Sequence, residues 1–91
     1  MADHHDEEQL AKLRQSMDAL NLRLCDLLAE RTQLAREIAQ VKRSLGRPIH
    51  DPVRERTQLH AIKDEGKDPR NAEALERIFR VILEESRRSL M

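Results

Sequence analysis

An apolar seam running from Leu10 to Leu45 constrains this chain more than any other feature. Leu10, Leu13, Met17, Leu20, Leu24, Leu27, Leu34, Ile38, Val41 and Leu45 recur at alternating steps of three and four, with a gap at Arg31. That spacing draws a heptad stripe along one side of a helix. No glycine or proline interrupts the run before Gly46 and Pro48, residue types that end helices. Asp6 and Gln9 have capping-box spacing ahead of Leu10. The helix is therefore expected from Asp6 to about Leu45, with residues 1–6 as a flexible tail. At about 1.5 Å per residue it would be roughly 60 Å long, whereas a compact chain of this size has a radius of gyration of about 12 Å. The remaining residues are too few to cover the seam. A second copy is the simplest cover, so an obligate dimer is expected.

The rest of the chain divides at its turn residues. Gly46-Arg47-Pro48-Ile49-His50 reads as a loop, and Asp51-Pro52 as an N-cap followed by proline at the first helical position. A second helix should run to about Glu65, with Val53, Leu59 and Ile62 facing inward, and Gly66 should end it. Asp68-Pro69 or Asn71 opens a third, whose stripe is Leu75, Phe79, Ile82 and Ser86, with Ile78 beside it. The expected fold is all-α in a single domain over 1–91, with one very long, one short and one medium helix. Phe79 is the only aromatic and 37% of residues are charged, so the core must come from Leu, Ile, Val, Met and Ala.

Lys+Arg and Asp+Glu balance at 17 each, which leaves no overall basic field for nucleic acid. No apolar run approaches the roughly 20 residues that cross a bilayer. Cys25 is the only cysteine and the N-terminus is acidic and polar, which together point to a reducing cytoplasm.

The residues that break the pattern carry the functional signal. Arg31 sits on the seam, where a buried guanidinium needs an anion, a glutamate partner or a path for its charge to reach water. Lys42 lies about 20° round the helix from Arg31 and roughly 16 Å along it. The two could bracket a small anion across Ala35 and Ala39; Lys42 alone is equally ordinary complementation of the helix dipole. Arg14 is about 25 Å from Arg31 on the same helix, too far for one chain to bring both to one small ligand. If two copies pair antiparallel, residue i faces roughly residue 55 minus i, so the partner's Arg14 would meet the neighbourhood of Lys42. Read singly, Arg14 is a solvated flank residue. Asp51, Arg54 and Glu55 gather in the first turn of the second helix, as a cap with surface charges or as acceptors and donors for a hydroxylated anion. Ser86 either lines a site or bonds the carbonyl one turn back.

Other chemistries lack their residues. The four histidines do not fall at zinc-ligand spacing, two glycines cannot build a phosphate-cradling loop, and no nucleophile has an evident base. No metal and no cofactor is expected. An enzyme built from this chain would work by binding and electrostatics.

The ordered set of Leu13-Arg14, Met17-Asp18, Leu27-Leu28-Ala29-Glu30-Arg31, Leu34-Ala35, Ile38-Ala39, Lys42, Arg47-Pro48-Ile49-His50-Asp51, Arg54-Glu55, Phe79, Ile82-Leu83-Glu84 and Ser86 resembles the all-helical chorismate mutases. The resemblance implies an entwined antiparallel homodimer that converts chorismate to prephenate, on the route to phenylalanine and tyrosine. Carried over by it, Arg31 and the partner's Arg14 would grip the two carboxylates. Lys42 would reach a carboxylate and the ether oxygen. Glu55, with Asp51 and Arg54, would orient the ring hydroxyl, and Ser86 would line the far wall. Family members also act beside or fused to DAHP synthase or prephenate dehydratase, which makes these the candidate protein partners.

One departure stands out. The family usually has Gln or Glu one turn after the Ser86 position, to hydrogen-bond the ether oxygen, and here that residue is Leu90. Losing such a donor typically lowers a rate about 100- to 1000-fold. Three rival readings remain at this point: isochorismate-pyruvate lyase on the same scaffold, a metabolite-binding dimerisation or regulatory module without turnover, and a plain coiled-coil adaptor, which leaves the paired cations unexplained.

Overall fold

The computed structural model describes residues 4–65 and 69–90. It comprises α1 (His4–Ser44), α2 (Pro52–Glu65), a short 3-10 turn (Pro69–Asn71) and α3 (Ala72–Ser89), with no strand among the described residues. Gly66 and Asp68, expected to separate the second and third helices, lie outside those residues.

The start of α1 differs from expectation. His4, His5 and Asp6, read from sequence as part of a tail, are helical. His4 Nε2 lies 3.1 Å from Glu8 Oε1 one turn on, and Asp6 and Glu7 place negative charge in the first turn, where the helix dipole favours it. These local terms extend the helix past the Asp6 cap.

At the other end, Gly46 adopts φ +69, a left-handed conformation that only glycine enters without strain. The Gly46 amide donates to the Arg43 carbonyl at 3.1 Å and the Arg47 amide to the Lys42 carbonyl at 2.8 Å. This crossed pair is a Schellman stop, which satisfies carbonyls that the ending helix leaves open. The expected terminus at Leu45–Gly46 is thus built as the residues suggest.

The chain forms two units, 1–34 and 35–91, divided within α1. The described part of the first is helix throughout and buries none of its residues. Its seam residues Leu10, Leu13, Met17, Leu20, Leu24 and Leu27 are all exposed.

The second unit holds the core. α2 packs on α3, and Ala39, Leu59 and Leu83 are buried, one from each helix. Ile62, Leu75, Phe79, Ile82 and Ser86 are half-buried, as their stripes suggest. Val53 departs from expectation at 64% exposed, because it lies about 120° round the helix from Leu59. Ile78 is likewise exposed, about 140° from Leu83. Ala39, one of the two alanines between Arg31 and Lys42, is 1% exposed, so its small side chain serves close packing.

An ion-paired clamp ties α2 to α3. Lys63 Nζ lies 3.7 Å from Glu76 Oε2, while Arg80 holds Glu76 Oε1 at 2.7 Å. The Arg80 hydrogen bond, with the positive charges of Arg80 and Lys63, holds the Glu76 carboxyl below its ordinary value.

Candidate active site

The second unit gathers polar groups around the loop between α1 and α2. Lys42, half-buried in the last turn of α1, donates from Nζ to the Ile49 carbonyl at 3.1 Å. Its own carbonyl accepts the Arg47 amide. Both ends of the residue are therefore tied to one short loop. An ammonium has three donors, so this contact leaves Lys42 with capacity for a ligand.

The loop ends where α2 begins. Asp51 Oδ1 accepts the Arg54 amide at 3.0 Å and the Asp51 carbonyl accepts the Glu55 amide at 3.0 Å. This is N-cap geometry, with Pro52 at the first helical position, where a missing N–H is harmless. The cap fixes the phase of α2 and sets Glu55 in its first turn, where it is half-buried.

Glu55 is held from two directions. Arg87 on α3 donates from Nη1 to both carboxylate oxygens, at 2.7 Å to Oε1 and more closely still to Oε2. His50 Nε2 lies 3.9 Å from Oε2. Two neighbouring residues of the loop therefore meet these groups, Ile49 through its carbonyl to Lys42 and His50 through its ring near Glu55.

Ser86, beside Arg87 on α3, is half-buried, and its carbonyl accepts the Ser89 hydroxyl at 2.8 Å. The Arg54 side chain is exposed. Leu90, half-buried, follows α3, with its amide donating to the Arg87 carbonyl at 3.2 Å and its carbonyl accepting from Arg43 Nη2 at 3.4 Å.

Arg14 and Arg31 belong to the first unit. Arg14 is exposed and Arg31 half-buried, and among the described residues neither guanidinium has a hydrogen bond or ion pair. The structure therefore brings Lys42, Asp51 and Glu55 to one loop, carries Arg14 and Arg31 on a separate unit, and adds Arg87, which the sequence reading missed. A signal for Arg87 existed, because it stands one helical turn beyond Leu83 and two beyond Phe79, on the line that α3 turns inward.

Among the described residues, no group of His, Cys, Asp and Glu could hold a metal ion, and no helix is long and apolar enough to cross a membrane. What the loop and the start of α2 offer is a half-buried ammonium on Lys42 and a half-buried carboxylate on Glu55. Such a set can bind and orient a hydroxylated organic anion.

Comparison with known proteins gives that class a family. Residues 13–89 match the family model for chorismate mutase type II. The chain is 33% identical over 81 residues to the chorismate mutase of Methanocaldococcus jannaschii, covering 88% of this chain and 82% of that protein. It is 38% identical over 81 residues to the bifunctional chorismate mutase/prephenate dehydratase of Escherichia coli, covering 88% of this chain but only 21% of the relative. The solved chorismate mutase of Thermus thermophilus (form I) superposes with a TM-score of 0.82 at 32% identity, over 86% of this chain and 98% of that one. The chain belongs to the chorismate mutase type II family.

Proposed function

We propose that this chain rearranges chorismate to prephenate, as an antiparallel homodimer with one site in each half. The observation that carries the reading is the family match over residues 13–89, a span that includes every residue assigned to the site from Arg14 to Ser86. In the proposed site, Lys42, Arg31 and Glu55 act on the substrate directly. The partner's Arg14, with Asp51, Arg54 and Ser86, completes the binding surface.

The chemistry suits a site without a general base. The rearrangement is intramolecular: a carbon–oxygen bond of the ether breaks as a carbon–carbon bond forms, and no proton changes hands. Catalysis then consists of holding the substrate's side chain folded over its ring and meeting the charge that develops on the ether oxygen. Lys42 fits the second task. Its Nζ already rests on a carbonyl oxygen at 3.1 Å, so an ammonium at this position faces an acceptor before any substrate arrives. A pre-placed cation stabilises the transition state more than the ground state.

The first unit supports the dimer. Six large apolar seam residues from Leu10 to Leu27 lie exposed on one face. Covering the exposed half of each would contribute about 1 kcal/mol per side chain, enough in sum to favour association. Antiparallel pairing would also deliver Arg14 to the partner's Lys42. The whole of 1–91 would then act as one domain of the dimer. The fused relatives make prephenate dehydratase the partner we favour, with DAHP synthase second. A lone exposed Cys25 fits a reducing cytoplasm as the compartment.

The test is chorismate consumption followed by ultraviolet absorbance, with prephenate identified as product. Lys42→Ala and Arg31→Ala should each lower kcat/KM by about 100-fold or more with helicity and dimerisation kept. Unchanged rates in both would refute the site. Salicylate and pyruvate formed from isochorismate would transfer the assignment to the lyase. In the same assay Leu90→Gln should raise the rate, since it restores a donor one turn beyond Ser86.

A further inference from the structure

We infer that Arg87 is a positioning residue, which fixes the carboxylate of Glu55 so that it can accept the substrate's ring hydroxyl. The inference rests on the reading of Glu55 given above and adds a residue to it.

The arginines of α3 make the case by contrast. Arg80 pairs with Glu76, and Arg88 pairs with Glu84 and Glu85, all within one turn of the same helix. Such local pairs on an exposed face contribute little. Arg87 instead reaches across to a different helix, and its partner is half-buried. Its Nη1 is also closer to Glu55 than the His50 ring, whose Nε2 lies 3.9 Å away.

The geometry sets what Arg87 can do. A carboxylate on a glutamate side chain turns freely about its last bond, and each orientation offers a ligand a different lone pair. A single nitrogen bonded to both oxygens fixes the plane of the carboxylate. It uses one edge of the group and leaves the lone pairs on the outer side for a hydroxyl donor. The Asp51 cap fixes Glu55 at its backbone, while Arg87 fixes it at its tip. Held at both ends, the acceptor is oriented before substrate binds, which is how a supporting residue sharpens a site it does not touch.

Because one nitrogen makes both bonds, the role does not require a planar fork. An ammonium can supply the same contact. Arg87→Lys should therefore keep much of what Arg87→Met loses.

The experiment is a double-mutant cycle on the full-length chain, with kcat and KM for chorismate measured for wild type, Arg87→Met, Glu55→Gln and the double variant. Arg88→Met serves as the control, and helicity and dimerisation are checked for each. Arg87→Met should lower kcat/KM by about ten-fold. Most of the loss should fall in KM, because a hydroxyl contact is made in ground and transition states alike. Arg87→Lys should restore at least half of the logarithmic loss, and Arg88→Met should change nothing. In the Glu55→Gln background, removing Arg87 should have little further effect, since residues acting through one another are not additive. Independent, additive losses would overturn the inference, as would an Arg87→Met enzyme with wild-type KM and only a lower melting temperature. If Glu55→Gln alone is fully active, the fault lies in the reading of Glu55, a result distinct from either.

Discussion

The two units of this chain share a helix and use it differently. From His4 to Leu34, α1 displays its apolar seam and buries nothing. From Ala35 onward the same helix contributes a buried alanine to a core shared with α2 and α3, then delivers Lys42 to a loop. A heptad pattern alone does not distinguish these roles, because it runs across the boundary without change. What distinguishes them is burial: the second part contributes Ala39 to a core, and the first buries no described residue. Unit two buries a small core of its own, Ala39, Leu59 and Leu83. Unit one leaves its apolar seam exposed.

The comparison can be broken most severely at the seam. Replacing Leu20 and Leu24 together with aspartate should abolish the dimer, because each substitution puts a charge where apolar contact is expected. Turnover should vanish with it if the partner's Arg14 is needed. Sedimentation and the chorismate assay, run on the same sample, check both. A dimer that survives would mean that the seam is not the interface.

A smaller effect is expected within the core of unit two. Leu59→Ala removes one of its few buried side chains, and large-to-small changes of this kind cost about 2–5 kcal/mol. The value should fall toward the low end, since the core is thin and can close around the loss. Chemical denaturation measures it. A change below about 0.5 kcal/mol, the size seen at ordinary surface positions, would mean that α2 and α3 are held by something other than Leu59.

The smallest effect concerns the clamp between α2 and α3. Glu76 has its carboxyl held below the ordinary value, chiefly by the Arg80 hydrogen bond. A carboxyl lowered on folding adds stability above its unfolded value, about 4.3 for glutamate. That stability is lost as pH falls through the lower folded value. Glu76→Gln should thus melt slightly below wild type at pH 7, and the gap should close in acid. A gap that does not narrow as the pH is lowered would assign the effect to packing.

Much of this was legible in the residues because it is local. The Gly46 stop, the Asp51 cap and the three helical segments depend on neighbours within a turn, and the chain spells those out. Lys42 was legible for the same reason, as a cation in the last turn before a glycine. Arg87 was not, because its partner lies on another helix and the meeting depends on the rotational phase at which α3 packs on α2. That phase also explains why Leu83 rather than Ile78 is buried, and why Val53 faces outward. Periodicity names a stripe; only packing selects its centre line. Arg14 marks a different boundary, since its proposed role needs a second chain, and no single protomer can display it.

The stretch from Lys42 to Glu55 has a further consequence for how such a gene can change. Surface connections ordinarily accept extra residues at small entropic cost. This one is fastened at both ends, by the Lys42 hold on Ile49 and by the Asp51 cap. One codon added or removed between those points would pull the ammonium off its carbonyl or rotate the next helix out of phase. Arg47 is exposed and is held here through its backbone amide, so the number of residues in this stretch constrains it more than the side chain at that position.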